Sequence, residues 1–273
     1  MLDRLRLPLE WLACPVSKAP LMLLGDVLVS SYGSRYLKGA DGYWDFMPRN
    51  HSSLQSVEWR IWDQLQANGV ASYSADPEHN LGVGKRQDFI QFANFCRFRG
   101  NVLDVGVGPQ RCPSHIEYEY SASGTAFFVG VDPLIGEQPR CFAFVRALGE
   151  YLPFRASVFD QVLFVTSLDH FIDPLAPLRE AARVLAGGGE VCIWLGEKDK
   201  NAPKPSRSNP WYERLAVPEG AEDRFHYKRF SAPEFERFLM AAGLEVTERS
   251  VHEIDSWRRN LFYRASVQSA PSG

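Results

Sequence analysis

The sequence predicts an α/β protein: a mainly parallel sheet with helices on both faces, plus a small N-terminal β unit. From Asn101 onward, short β-rich runs alternate with helical patterns, as parallel strands joined by crossover helices require. An apolar strand, Val102–Val105, runs straight into a turn holding Gly106 and Gly108. Ahead of it lie a turn-rich segment, residues 1–50, and a helical segment, residues 51–100, so the main domain is placed at 101–273.

Bulk properties narrow the class. The 273 residues are 45% apolar and 23% charged, the balance of a globular chain. The longest apolar runs, Ala126–Val131 and Val162–Val165, fall far below the ~20 residues of a membrane span. Asp3, Arg4, Arg6 and Glu10 interrupt the N-terminus, so no signal peptide is expected and a cytoplasmic location is. Cys14, Cys96, Cys112, Cys141 and Cys192 have no pairing pattern and are expected as thiols rather than a disulfide frame. A net charge of −3 argues against gripping duplex nucleic acid through many phosphates, and favours a small partner.

The elements follow in order. Val57, Ile61, Trp62 and Leu65 recur at helical spacing, as do Phe89, Phe92, Ala93 and Cys96, with a loop-like stretch between. Strands are predicted at Val102–Val105, Ala126–Val131, Gln161–Val165 and Glu190–Leu195, with a last pair near Leu244–Ser250 and Leu261–Val267. Asp173-Pro174 opens a helix whose apolar face is Leu175, Leu178, Ala182 and Leu185, and Gly187-Gly188-Gly189 is expected to end it. Ser231 and Glu234 form a predicted capping box before Phe235, Phe238, Leu239 and Ala242; Gly243 stops that helix. The proline-rich stretch Glu197–Asp223 sits where a lid could fold over a site.

The chemistry concentrates at strand ends. Asp104-Val105-Gly106-Val107-Gly108 joins an acid to a turn whose glycines let backbone approach a ligand. The next strand ends in Asp132, followed by Pro133, and a carboxylate there can accept from two ribose hydroxyls. Leu148-Gly149-Glu150-Tyr-Leu-Pro-Phe154, Phe159-Asp-Gln-Val162, Ser167-Leu-Asp-His-Phe-Ile-Asp-Pro174 and Arg183-Val-Leu-Ala-Gly-Gly-Gly189 follow.

In this order, over Val102–Val191, these motifs resemble those of class I S-adenosylmethionine-dependent methyltransferases of the type 11-like kind. The resemblance implies a Rossmann-like fold on a seven-stranded sheet, S-adenosyl-L-methionine as cofactor and methyl transfer as activity. It implies that Asp104 orients the turn, and that Val105, Gly106, Val107 and Gly108 line the methionine and ribose. Asp132 would take the ribose hydroxyls with Pro133 beside it; Gly149 and Glu150 would offer backbone groups to adenine, and Ser167 and Leu168 would lie near the sulfonium. Leu148 stands where the family often has an aspartate for the adenine amino group, so that contact must come from elsewhere.

Methyl transfer to a hydroxyl benefits from a base, whereas an amine needs only to be neutral. His170 is the first candidate base, Asp169 its orienting neighbour, and His226 with Tyr227 a second set. His115, Tyr118 and Tyr120 could border an acceptor pocket. Lys198, Lys200, Lys204 and Arg207 could recruit an anionic acceptor.

Residues 1–50 resemble a degenerate zinc ribbon of the kind that precedes some bacterial methyltransferases or serves as a separate activator subunit. Of its two Cys-x-x-Cys pairs only Cys14 is present; Ser17, Val29 and Tyr32 take the other places. One thiol cannot hold structural zinc. A metal-free β unit is expected, held by Leu21, Leu28, Tyr36, Trp44 and Phe46, and no metal site is predicted elsewhere. The expected acceptor is an O or N atom of a small molecule, sugar or biosynthetic intermediate. The alternatives are an RNA methyltransferase, suggested by the ribbon, and a non-catalytic cofactor-binding regulatory partner. A nicotinamide dehydrogenase would show Gly-x-Gly-x-x-Gly, where this chain has Gly-Val-Gly-Pro-Gln-Arg.

Overall fold

The computed structural model describes residues 4–48, 56–75, 87–122, 124–199, 201 and 210–268. It begins with four short strands, β1 (Leu21–Leu24), β2 (Val27–Ser30), β3 (Arg35–Lys38) and β4 (Trp44–Asp45). Two helices follow, α1 (Val57–Ala75) and α2 (Gln87–Cys96). The alternating part comprises β5 (Asn101–Val105), α3 (Ser114–Ser121), β6 (Phe127–Asp132), β7 (Ala143–Arg146), β8 (Phe159–Val165), α4 (Leu175–Val184) and β9 (Leu185–Lys198). A short helix α5 (Pro210–Glu213), then α6 (Ala232–Ala241), β10 (Leu244–Glu253) and β11 (Arg258–Val267) complete the chain.

Among the described residues all eleven strands join one sheet, ordered β1-β2-β3-β4-β7-β6-β5-β8-β9-β11-β10. The sheet is mainly parallel in its middle, as expected: β7, β6, β5, β8 and β9 pair in parallel, and β11 is antiparallel to both β9 and β10. From β5 the chain steps to β6 and β7 on one side, then returns to β8 and β9 on the other. The strand order therefore reverses between β5 and β8, and a crevice opens beyond their carboxyl ends. Val102, Leu103, Val105, Val162, Leu163 and Phe164 are wholly buried, so these two strands are the least replaceable part of the frame. Truncating one of these leucines to alanine would cost about 2–5 kcal/mol.

Several expectations change on folding. The N-terminal strands are not a separate unit: β4 pairs in parallel with β7, Trp44 against Val145 and Asp45 against Arg146, and extends the core sheet. An ion pair at 3.2 Å between Asp45 and Arg146 reinforces that join. Leu28, Tyr36, Trp44 and Phe46 are buried as expected, whereas Leu21 is half-buried. Where a ribbon would bind zinc, Cys14 Sγ lies 3.1 Å from Tyr36 Oη and accepts from Ser17 N. Burial pushes this thiol up, but those hydrogen bonds outweigh it and bring the thiol down to about 7.

In α1 the buried stripe is Trp59, Trp62, Leu65 and Asn68, while Val57 is exposed, so the apolar face is rotated from the one predicted. The α4 helix starts at Leu175, whose N–H donates to Asp173 Oδ1 at 3.0 Å. It ends at Val184, and Gly187–Gly189 belong to the start of β9 instead of a cap. The Ser231 capping box does not form; the Ala232 N–H donates instead to Glu197 Oε1, at 3.1 Å. Tertiary contact with the end of β9 replaces the local motif. The segment read as one long connection after the glycine turn contains α3. The strand that prediction omitted, β7, spans only four residues.

Candidate functional site

A cavity of about 310 Å³ occupies the crevice where the strand order reverses. Its floor is the turn after β5. Gly106 and Gly108 adopt φ of 78° and 77°, a region that L side chains rarely enter. A Cβ on Gly106 would sit 2.5 Å from the Cβ of Ser167, so glycine is required there by space as well as by conformation. The Gly106 and Val107 N–H groups donate to Val131 O, tying the turn to β6. Asp132 then accepts from Gly108 N through Oδ2 and from Leu134 N through Oδ1, both at 2.8 Å. Burial pushes this carboxyl up to about 6, against the pull of those amides and of Arg140.

The same turn is braced from below. The Arg140 guanidinium donates to the carbonyls of Gly108, Gln110 and Leu134, at 2.7, 3.2 and 3.2 Å. Cys112 and Cys141 form a disulfide between the two loops, with Cα atoms 5.7 Å apart. This corrects the expectation of free thiols; their separation of 29 residues in sequence gave no sign that the loops meet. Cys14, Cys96 and Cys192 are free and buried.

At one end of the cavity Asp104, wholly buried, is paired with His115, Oδ2 to Nε2 at 2.8 Å. Asp104 Oδ1 has no hydrogen-bond partner, a buried acceptor whose cost is relieved when a donor such as an ammonium arrives. At another wall, the turn Gly149–Tyr151 brings Glu150 into the cavity, again with a buried, unpartnered Oε1. Burial pushes that carboxyl up to about 7. Leu148, in the place where the resembled family often has an aspartate, packs with Trp59 and Trp62. Part of the cavity wall is α1, whose Trp62, Gln66, Gly69 and Tyr73 fall on one helical face.

The third part lies beyond β8. Thr166 has φ of 52°, an outlier for a β-branched residue, which concentrates strain at the site rather than in the frame. The following 3₁₀ turn, Leu168–His170, delivers Asp169 and His170. His170 Nδ1 is 2.9 Å from Phe225 O, and His226 Nδ1 is 2.7 Å from Asp223 Oδ1. The two imidazoles lie 4.6 Å apart, centroid to centroid. Between them, Asp169 sits 3.8 Å from His170 Nε2 and 3.6 Å from His226 Nε2. Arg229 donates to Asp169 Oδ2 and to Asp223 Oδ2, both at 3.0 Å. Burial pushes the His170 imidazole down to about 4 despite the charge of Asp169. Burial pushes Asp223 up, but His226 and Arg229 together hold it well below the carboxylate range.

Residues 103–193 match a family described as a methyltransferase domain. Over those residues the chain is similar to that methyltransferase-domain family. Uncharacterized proteins of Mycobacterium tuberculosis and Mycobacterium bovis are each 28% identical to it over 153 residues, which is 54% of this chain and 47% of theirs. The chain thus spans about half the length of the curated relatives it matches. Among solved structures, a Burkholderia thailandensis 1,6-didemethyltoxoflavin-N1-methyltransferase superposes with a TM-score of 0.56 at 14% identity. It covers 90% of this chain and 98% of its own, and was crystallised with 1,6-didemethyltoxoflavin and S-adenosylhomocysteine. A chain from the complex of the Haloferax volcanii Trm112 methyltransferase activator with a methyltransferase gives 0.53 at 17% identity, over 73% of this chain and 97% of its own. At these identities the likeness concerns the fold.

Most of the predicted cofactor residues meet at one cavity: Asp104, Gly106–Gly108, Asp132, Pro133, Leu148–Glu150 and Ser167 all line it. Val105 and Leu168 do not. Both are wholly buried in the core, because a strand or turn residue beside a lining one points the opposite way. Val105 contributes its carbonyl, which accepts from Ser167 Oγ at 2.7 Å. His170 and His226, read as two separate sets, are one cluster; Asp169 is not a wall residue and lies buried between them. His115 lines the cavity but serves Asp104, whereas Tyr118 donates to Asn94 and Tyr120 lies under the Arg4 guanidinium. Tyr227 is outside the lining too. Of the lysine-rich loop, Lys200, Lys204 and Arg207 lie outside the described residues. Sequence reasoning missed α1 as part of the wall. The signal was present: Trp62, Gln66, Gly69 and Tyr73 are spaced for one face, and glycine there opens room.

Proposed function

We propose that the protein moves a methyl group from S-adenosylmethionine to an oxygen or nitrogen atom of a small acceptor held in the same cavity. The observation that carries this reading is the hydrogen-bonded unit of Gly108, Asp132 and Leu134. It presents a buried carboxylate beside a glycine turn at the edge of a cavity whose other side holds two imidazoles. The cofactor supplies a methyl carbon already activated by positive sulfur.

The chain's own residues then have three tasks. Asp132 accepts from ribose hydroxyls, and the unpartnered Asp104 Oδ1 accepts from an ammonium. Glu150 Oε1 offers the acceptor for an adenine amino group that Leu148 cannot. The cluster of His170, Asp169 and His226 receives the reacting end of the acceptor. Holding donor and acceptor together in one cavity supplies roughly 7–11 kcal/mol of effective concentration. A wall formed by α1 favours a small acceptor over a base within an RNA chain.

Titration calorimetry with S-adenosylmethionine and S-adenosylhomocysteine tests the reading. Asp132→Ala removes a charged acceptor worth roughly 1.5–3 kcal/mol per hydrogen bond, so a loss of affinity of about a hundredfold or more is expected. Undetectable binding to the wild-type chain, or equal binding by the variant, would defeat it.

A further inference from the structure

We propose that Asp169, His170 and His226 hold a divalent cation of the zinc class, which receives the acceptor's oxygen as a further ligand. The inference rests on the methyl-transfer reading for its role, though not for its existence. One ring nitrogen of each histidine and one carboxylate oxygen of Asp169 lie within 4.8 Å of one another. Nε2 of His170 lies 3.8 Å from Asp169 Oδ1 and Nε2 of His226 lies 3.6 Å from Asp169 Oδ2, both near the ~3.4 Å that separates two ligands about 2.1 Å from a tetrahedral zinc. Small side-chain rotations close the difference.

What lies behind these groups matters more than their proximity. A histidine that binds metal through Nε2 almost always donates its other N–H to a carbonyl or carboxylate, which fixes tautomer and ring orientation. Both partners are in place: Phe225 O stands 2.9 Å from His170 Nδ1, and Asp223 Oδ1 stands 2.7 Å from His226 Nδ1. Asp169 is itself held, its carbonyl accepting from Lys228 N and its Oδ2 from Arg229. Oδ1 of Asp169 is buried without a hydrogen-bond partner, a cost that a cation would relieve.

Charge is consistent with this. Asp169 and Asp223 bring two negative charges and Arg229 one positive, so a divalent ion leaves the site with a single positive charge. Three protein ligands from nitrogen and oxygen leave at least one position open, the arrangement of a reactive rather than a structural centre. An open position facing the cavity suits a hydroxyl or carboxylate oxygen. Coordination there weakens the O–H bond of an acceptor hydroxyl; its proton leaves to solvent, and the retained oxygen lone pair attacks the methyl carbon as the carbon–sulfur bond breaks.

The test uses the full chain, stripped with chelator and dialysed against zinc, with metal content measured per chain and cobalt(II) used separately as a spectroscopic probe. We expect one zinc per chain and visible ligand-field absorption from the cobalt form, both lost in His226→Ala. Asp223→Asn, which touches no metal, should weaken zinc affinity about 10–100-fold. Wild-type chain that takes up no more zinc than His226→Ala, or that gives a colourless cobalt sample, overturns the proposal. Should His226→Ala not fold, the wild-type cobalt spectrum alone decides. Titration with S-adenosylhomocysteine separates the two readings: cofactor binding without metal uptake removes only this inference, and metal uptake without cofactor binding removes only the methyl-transfer reading.

Discussion

The two ends of the cavity are built from different materials. The end at Gly106, Gly108 and Asp132 is made of backbone: amides donate to one carboxylate, carbonyls are gathered by Arg140, and a disulfide joins the loops beneath. The end at His170 and His226 is made of side chains from segments far apart in the chain, positioned by one carbonyl and two carboxylates. A backbone cradle recognises what every donor molecule shares and tolerates little change. A side-chain cluster can be exchanged residue by residue, and there specificity for the acceptor can vary while the fold stays the same.

The hardest blow to the backbone end is Gly106→Ala. Its Cβ would sit 2.5 Å from the Cβ of Ser167, whose hydroxyl is committed to Val105 O, and its φ of 78° is unfavourable for alanine. The conformation alone costs roughly 1–2 kcal/mol, and the clash brings the expected destabilisation to about 2–4 kcal/mol. Denaturant unfolding would measure the loss, and calorimetry should find no cofactor binding. Wild-type stability in that variant would mean that the turn is not the rigid cradle described.

The other end predicts a milder and different outcome. Asn68, on α1, donates through Nδ2 to Ala216 O at 2.9 Å and Arg224 O at 2.7 Å, which ties the chain leading to His226 against the wall helix. Asn68→Ala leaves both carbonyls short of a donor, and about 1–3 kcal/mol of local stability should be lost. Faster proteolysis near Ala216–Arg224, with affinity for S-adenosylhomocysteine within about twofold of wild type, is the expected result. An equal loss of cofactor affinity would mean that the two ends are not separable.

The same contrast explains what the sequence let a reader see. The turn Asp104–Gly108, Asp132 and Glu150 could be read because each belongs to a short contiguous motif whose chemistry is local. The mainly parallel sheet follows from the alternation of strands and helices. Asp169 and His226 could not be joined in advance, since only the return of the chain along α1 places them 3.6 Å apart. The fusion of the N-terminal strands was equally hidden: two residues, Trp44 and Asp45, make the join, too few to leave a periodic signal. The Ser231 motif misled because Glu197, distant in sequence, outcompeted the local cap.

The smallest expected effect separates the two ends by pH. Burial pushes Asp132 up to about 6, so its carboxyl takes a proton at a milder acidity than an ordinary aspartate. For the fold alone, a raised carboxyl contributes stability at low pH that is lost as pH rises through about 6, because the folded state then carries an unfavourable buried charge. Cofactor binding has the opposite sign. Ribose hydroxyls donate to the carboxylate, not to its protonated form, so affinity should fall as pH drops through 6, below the smaller change that Glu150 contributes near 7. The limiting slope is about tenfold per pH unit, since one proton competes with the ligand. Asp132→Asn, weaker at every pH, should lose the fall centred near pH 6 and keep only the part that Glu150 contributes near pH 7, while His226→Ala should keep the wild-type slope. Calorimetry with S-adenosylhomocysteine from pH 5 to 7.5 measures all three. A wild-type affinity that does not change across that range would mean that Asp132 does not carry the ribose, and the backbone end of the cavity would need another ligand.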